Sequence, residues 1–234
     1  MSSPLQSPPP WSLLAESLVL LDLAHSALRW PALARQPRGA GDPVLVFPGY
    51  GASDASTAVL RGILRGLGHD ARGWGIGRNH GDVPDLIPRV TEVAQRCADE
   101  TGRRVRLVGW SLGGVLAREV ARDRPELVER VVTLGSPVVG GPKYTAAAGS
   151  YRRRGEDLDA IEAAVAERSL TPIDVPITAI YSKRDGVVAW RACIDERSRD
   201  VEHIEVPCSH TGLGFHTGVI SIVAKRLAME SRAA

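Results

Sequence analysis

Short apolar runs separated by longer stretches of helical period dominate the pattern of the chain. "VLVF" (44–47), "RVRLVG" (104–109), "RVVTLGSP" (130–137), "VPITAIYSKRD" (175–185) and "VEHIEVP" (201–207) read as strands, and "HDARGW" (69–74) as a weak one. Between them lie helical patterns. One covers 54–67, with Gly66 and Gly68 near its stop. Another covers 85–102, with Ile87, Val90 and Val93/Ala94 on one face and Gly102 at its end. A third covers 112–123 and stops before Pro125, and a closing helix covers 216–230. Short apolar strands alternating with helices predict an α/β fold with a mostly parallel central sheet, covered by helices on both faces. Ligands of such sheets bind at the carboxyl ends of the strands.

The pattern begins differently upstream. "MSSPLQSPPP" (1–10) has the composition of a disordered tail. Residues 11–36 then form an amphipathic pattern, with Leu13, Leu14, Leu20, Leu21, Ala24 and Leu28 on one helical face; Leu18, Val19 and Leu23 fall outside that stripe. The stretch is nearly apolar enough for a signal peptide or a membrane span. However, Arg29 is its first basic residue, and Glu16, Asp22 and His25 interrupt it. The favoured expectation is a helix packed on the domain by its apolar stripe; membrane-surface contact through residues 11–30 is the less favoured one. Residues 37–234 then form one domain, with a short insertion at about 140–175 that holds a helix bearing Leu158, Ile161 and Val165 on one face.

Composition narrows the function only by exclusion. A chain of 234 residues with 44% hydrophobic and 24% charged residues is an ordinary globular protein, able to bury a core without metals or disulfides. A net charge of +2 gives no general case for nucleic acid, and the run Arg152, Arg153, Arg154 reads as a solvated face. Cys97, Cys193 and Cys208 are odd in number and lack metal-type spacing; they read as reduced and structural. With no signal peptide or transmembrane segment recognised, the expected location is the cytoplasm. No pair of histidines has metal spacing.

The chemistry-bearing residues sit at strand ends. Gly109-Trp110-Ser111-Leu112-Gly113 follows an apolar strand and opens a helix. A serine on so sharp a turn projects from the sheet, and residues two places away must be small because strand and helix crowd them. The helix start favours negative charge beside Ser111, so the Leu112 N–H is one candidate oxyanion donor. "FPGYGAS" after the first strand offers the Tyr50 N–H as a second. Trp110 and Tyr50 are candidate substrate-binding side chains. Asp185, just after an apolar strand, suits the acid that orients a histidine; Asp174 precedes that strand, and Asp195 and Asp200 lie past its turn. His210 lies in the glycine-rich loop after the last strand and is the favoured base. His216 starts the closing helix, where solvent contact is expected; His203 lies within a strand; His25, His69 and His80 precede the serine.

These residues, in this order, resemble the α/β-hydrolase fold family from about Val44 to Met229, and within it the bacterial esterase/lipase branch. The resemblance rests on "FPGYGAS", "GWSLGG", "YSKRDGVV" and "CSHTGLG", with Pro48 where that branch has the histidine of its HG-x-G turn. "WGIGRNHG" (74–81) also looks like a strand-end loop of related esterases. The resemblance implies hydrolysis of carboxylic esters through an acyl-enzyme, a Ser111–His210–Asp185 triad, a small-molecule ester substrate and no cofactor. The short cap and an aromatic content of 5% point to short or medium acyl chains. A lipase, a thioesterase or an acyltransferase shares the same residues, and a non-catalytic member of the fold is a further alternative. A nucleotide-binding oxidoreductase is disfavoured because "GIGRNHG" lacks G-x-G-x-x-G spacing.

Overall fold

The computed structural model describes residues 5–229. An N-terminal segment comprises a 3-10 turn at Pro10–Leu18, helix α1 at Val19–Arg29 and a second 3-10 turn at Trp30–Arg35. The domain follows in the order β1 (Pro43–Phe47), α2 (Ala58–Gly66), β2 (Asp70–Gly73), α3 (Val83–Thr101), β3 (Val105–Trp110), α4 (Leu112–Asp123) and β4 (Val128–Leu134). After the insertion, with α5 (Ala148–Arg153) and α6 (Leu158–Arg168), come β5 (Ile177–Tyr181), β6 (Val201–Glu205) and α7 (Thr217–Leu227).

The six strands form one sheet in the order β2-β1-β3-β4-β5-β6, and every pairing is parallel. Period-2 geometry splits each strand between two cores. Leu45 and Phe47 face Leu86, Val90 and Ala94 of α3 and Leu116 and Val120 of α4; Val44 and Val46 face Leu60 and Leu64 of α2 and Ile220 and Val223 of α7. A sheet buried on both faces needs apolar residues at successive positions, as the five fully buried residues of β1 illustrate. Asp82 caps α3 by accepting from the Asp85 N–H, and Gly102 ends that helix at φ 64°. Beside β1, Asp42 forms an ion pair with Arg106 at 2.6 Å, and Arg106 also pairs with Glu129 at 2.9 Å, so this buried guanidinium lies between two carboxylates.

Three expectations for the periphery need correction. The N-terminal pattern is one continuous helical run, Pro10–Arg35, but it is α-helical only over Val19–Arg29: Pro31 lacks an N–H and disfavours the α conformation at Trp30, so α1 ends at Arg29. Its apolar stripe does not pack on the domain. Asp22 and Ser26 are the buried residues of α1, while Leu20, Leu21 and Leu28 face outward. Of the tail read as disordered, residues 1–4 lie outside the described residues, but Leu5 packs against Val188, Ala192 and Cys193, and Ser7 donates to the Lys143 carbonyl at 2.6 Å.

In the insertion, α6 matches the expected helix, although only Leu158 of its apolar face is buried. The additional helix α5 carries the arginine run. Arg152 and Arg153 are exposed, as a solvated face requires, but Arg154 stacks 4.5 Å from the Tyr151 ring and 5.6 Å from that of Tyr50. It also donates to the Tyr50 hydroxyl and the His80 carbonyl. Cys97, Cys193 and Cys208 are buried free thiols, and burial raises the pKa of each, that of Cys208 to about 12.

Candidate active site

β3 passes into α4 through a turn whose backbone is strained at one residue. Ser111 has φ 54° and ψ −123°, and it is the single non-glycine residue with positive φ among the described residues. Such a conformation costs on the order of 1–3 kcal/mol and persists only where the surroundings impose it. The surroundings are visible in the flanking glycines. A Cβ on Gly109 would run into the backbone of Gly113 and Gly114, and one on Gly113 into the Phe47 carbonyl. The Ser111 N–H donates to the Leu134 carbonyl at 2.8 Å, tying the turn to the end of β4.

Asp185 and His210 follow β5 and β6, so neighbouring strands deliver both to the same end of the sheet. His210 Nδ1 and Asp185 Oδ2 are 2.6 Å apart. The other oxygen, Oδ1, accepts the N–H groups of Val187 at 2.8 Å and Val188 at 2.7 Å, which fixes the carboxylate plane and aims Oδ2 at the ring. Both side chains are nearly excluded from water, at 9% and 1% exposure, so the pair interacts in a low dielectric. Burial opposes the charged imidazole, but the Asp185 charge and hydrogen bond, and then Glu16, outweigh it; the pKa of His210 is raised above its ordinary value. The Trp110 ring lies 6.2 Å from the His210 ring.

Glu16 was not singled out by sequence reasoning, yet it binds both loops. Its Oε1 accepts from the N–H of Gly186, next to Asp185, and from the N–H of His210, each at 3.0 Å. Its Oε2 accepts from the Thr211 N–H at 2.9 Å and the Thr211 hydroxyl at 2.8 Å. Burial would raise its pKa, but these donors lower it, so the carboxylate form prevails. Asp22, one turn or more further on, accepts from the Ser209 N–H at 2.9 Å and the Ser209 hydroxyl at 2.7 Å. The only signal available in the sequence was two acids on an otherwise apolar segment.

Ser111 and His210 line one cleft with Gly49, Tyr50, Leu112 and Trp110; Pro142, Thr145, Ala147 and Tyr151 of the insertion close its other side. Its volume is about 240 Å³. Among the described residues no hydrogen bond joins the Ser111 hydroxyl to His210; such bonds are often long without substrate. Leu112 is the first residue of α4, so its N–H has no acceptor within the helix. The Tyr50 N–H, across the cleft, meets no protein acceptor among the described residues.

Asn79, in the "WGIGRNHG" loop, holds the Tyr50 turn in place. Its side chain donates to the Pro48 carbonyl at 2.9 Å, and its backbone exchanges bonds with Gly51 and Ala52. The Tyr50 side chain turns to the insertion, where its hydroxyl meets that of Ser150 at 2.8 Å.

The other candidate acids and bases have structural positions. Asp195 forms a buried ion pair with Arg118 at 2.6 Å; burial pushes its pKa up, but Arg118 holds the carboxyl well below the usual range. The His203 ring accepts the Asp195 N–H, and Asp174 and Asp200 are exposed. His216 does not contact solvent as expected. It is buried, its Nδ1 caps α7 by accepting from the Gly218 N–H at 3.2 Å, and its ring stacks on that of His25 at 4.7 Å. Among the described residues, no three His, Cys, Asp or Glu side chains gather as a metal set would.

No known protein-family model matches the chain. Part of it is similar to the pimeloyl-[acyl-carrier protein] methyl ester esterase of Photobacterium profundum, with 32% identity over 123 residues, 52% of this chain and 45% of that protein. The chain thus spans less than half the length of this relative. Among solved structures, the mature Bacillus licheniformis lipase BlEst2 superposes with a TM-score of 0.62 at 15% identity, covering 82% of this chain and 94% of that one. The thioesterase domain from the curacin biosynthetic pathway gives 0.57 at 14% identity, covering 83% and 93%. The chain has the α/β-hydrolase fold. Part of the chain is thus similar to a bacterial esterase, and a lipase and a thioesterase share its fold.

Proposed function

We propose that this chain is a serine hydrolase of carboxylic esters that works through an acyl-enzyme. The observation that carries the reading is the buried His210–Asp185 pair at 2.6 Å, opening onto the same cleft as the strained Ser111. Ser111 Oγ attacks the ester carbonyl carbon while His210 Nε2 takes its proton. Asp185 accepts from Nδ1–H and stabilises the imidazolium. The carbonyl oxygen becomes an oxyanion facing the Tyr50 and Leu112 N–H groups. His210 then protonates the leaving alcohol, and the acyl group stays on Ser111. A water deprotonated by His210 attacks the acyl carbon, and the acid leaves as Ser111 recovers its proton.

The cleft volume of about 240 Å³ lies below the roughly 300–1,000 Å³ of sites that enclose drug-sized ligands. Together with a wall of Pro137, Ala147 and Val187, this supports short to medium acyl groups. A chain-length series of oxygen esters and thioesters, with water and alcohols compared as acceptors, tests that preference. Ser111→Ala should lower p-nitrophenyl ester hydrolysis by at least about 10⁴-fold in a folded protein. Persistence of the activity, or failure of a fluorophosphonate to label Ser111 in the wild-type chain, would remove the reading.

A further inference from the structure

A surface helix ordinarily turns its apolar face to the protein. The N-terminal segment does the reverse. Eight of the twelve exposed large apolar side chains among the described residues fall between Trp11 and Trp30, with exposures from 47% at Trp30 to 84% at Leu28. On α1, at 100° per residue, Leu20, Leu21, Leu23 and Leu28 share one outward arc. Asp22, His25 and Ser26 occupy the opposite arc.

This orientation is fixed by polar contacts. Glu16 and Asp22 accept from Gly186, Ser209, His210 and Thr211, Ser26 accepts the Thr217 N–H at 3.3 Å, and His25 stacks on His216. Rotating the segment to bury its leucines would strip these donors of their acceptors.

The charges follow the same division. Glu16 and Asp22 are the only acids before Asp42, and both point inward. Arg29, Arg35 and Arg38, which follow Leu28 in the chain, are exposed. The segment therefore has an apolar outward face, exposed tryptophans at both limits and exposed cations past its last exposed leucine. A bilayer with anionic headgroups complements it: apolar side chains enter the acyl boundary, indoles sit at headgroup level, and arginines meet phosphates.

Trp11–Arg35 is also long and apolar enough to cross a membrane by length and composition, and only 12% of that apolar window is buried. A crossing helix would have to release both carboxylates from the catalytic loops and carry them into hydrocarbon, so it lies along the surface instead. We propose that the outward face of residues 11–30 docks on an anionic lipid bilayer. The polar face meanwhile holds the Asp185 and His210 loops, so docking would bring these loops of the cleft close to the bilayer. Docking itself is independent of the esterase reading; the consequence for the cleft rests on it.

The test uses the full chain carrying Ser111→Ala, so that binding is read without turnover. Sedimentation is measured with vesicles of phosphatidylcholine alone and of phosphatidylcholine with phosphatidylglycerol. Binding should appear with the anionic vesicles and weaken as salt rises. Leu20→Glu/Leu28→Glu should reduce it by at least about tenfold, since each leucine loses its apolar burial. The same double variant in the wild-type background should keep its hydrolysis of a soluble short-chain ester, which shows that it folds. Equal sedimentation of the double variant, no sedimentation with either vesicle, or a stable dimer in light scattering that the double variant dissolves would each overturn the proposal. Loss of ester hydrolysis by the wild-type chain would instead strike the esterase reading and leave the docking result standing.

Discussion

α1 and α7 are both eleven residues long, both amphipathic, and in contact with each other, yet they face the domain with opposite sides. α7 lies on the sheet and buries Val219, Ile220, Val223 and Leu227; α1 lies over loop ends and buries Asp22 and Ser26. The difference is in what each helix meets. The sheet offers α7 apolar side chains such as Val132 and Ile180, whereas the loops after β5 and β6 offer α1 backbone N–H groups. Amphipathicity says that a helix has two faces; the partner surface decides which one turns inward.

Truncation gives the widest contrast. Ile220→Ala should destabilise the chain by about 2–5 kcal/mol in urea unfolding, because it leaves a cavity in a packed core. Leu28→Ala should change stability by no more than about 0.5 kcal/mol. Comparable losses from the two would mean that the leucine face of α1 is buried after all.

Glu16 sharpens the comparison from the polar side. Glu16→Ala leaves the N–H groups of Gly186, His210 and Thr211 without their acceptor, and should cost about 1–3 kcal/mol. Ester hydrolysis should fall with kcat, with little change in KM, because the loops lose their register while the cleft wall stays. Glu16 also raises the His210 pKa, so Glu16→Gln should move the acidic limb of kcat/KM to lower pH. A Glu16→Ala enzyme with unchanged kcat and pH profile would reduce the contact to packing.

The wild-type profile has a defined sign. On the proposed mechanism His210 must be neutral to accept the Ser111 proton, and its pKa is raised above 6.5. Activity should therefore be lost on the acid side at a higher pH than for an ordinary histidine. Stability runs the other way: the contribution of the His210–Asp185 pair is full below about 6.5 and is lost as pH rises through the raised folded value. An acidic limb below 6.5 in kcat/KM would contradict this arrangement. A small effect on activity is expected at His216, where His216→Ala removes the α7 cap and should cost about 0.5–2 kcal/mol of stability with activity nearly intact, whereas His210→Ala should match the loss at Ser111.

Much of this was legible along the chain because it depends on near neighbours. The alternation of strand and helix, the crowding that demands Gly109 and Gly113 around Ser111, and the placement of Asp185 and His210 after apolar strands are all consequences of local geometry. The strand order was not written locally, but short connections and right-handed crossovers leave few alternatives for such a chain. What the chain could not reveal was the set of contacts made across it. Glu16 meets Gly186 and His210 from 170 and 194 positions away, and Asn79 reaches Pro48 from another loop. No periodicity marks a carboxylate or an amide whose partners are distant backbone groups. The helical period of residues 11–30 determined that an apolar face exists; the N–H groups left open by two folded loops determined that it points outward, because satisfying buried donors outweighed covering leucines.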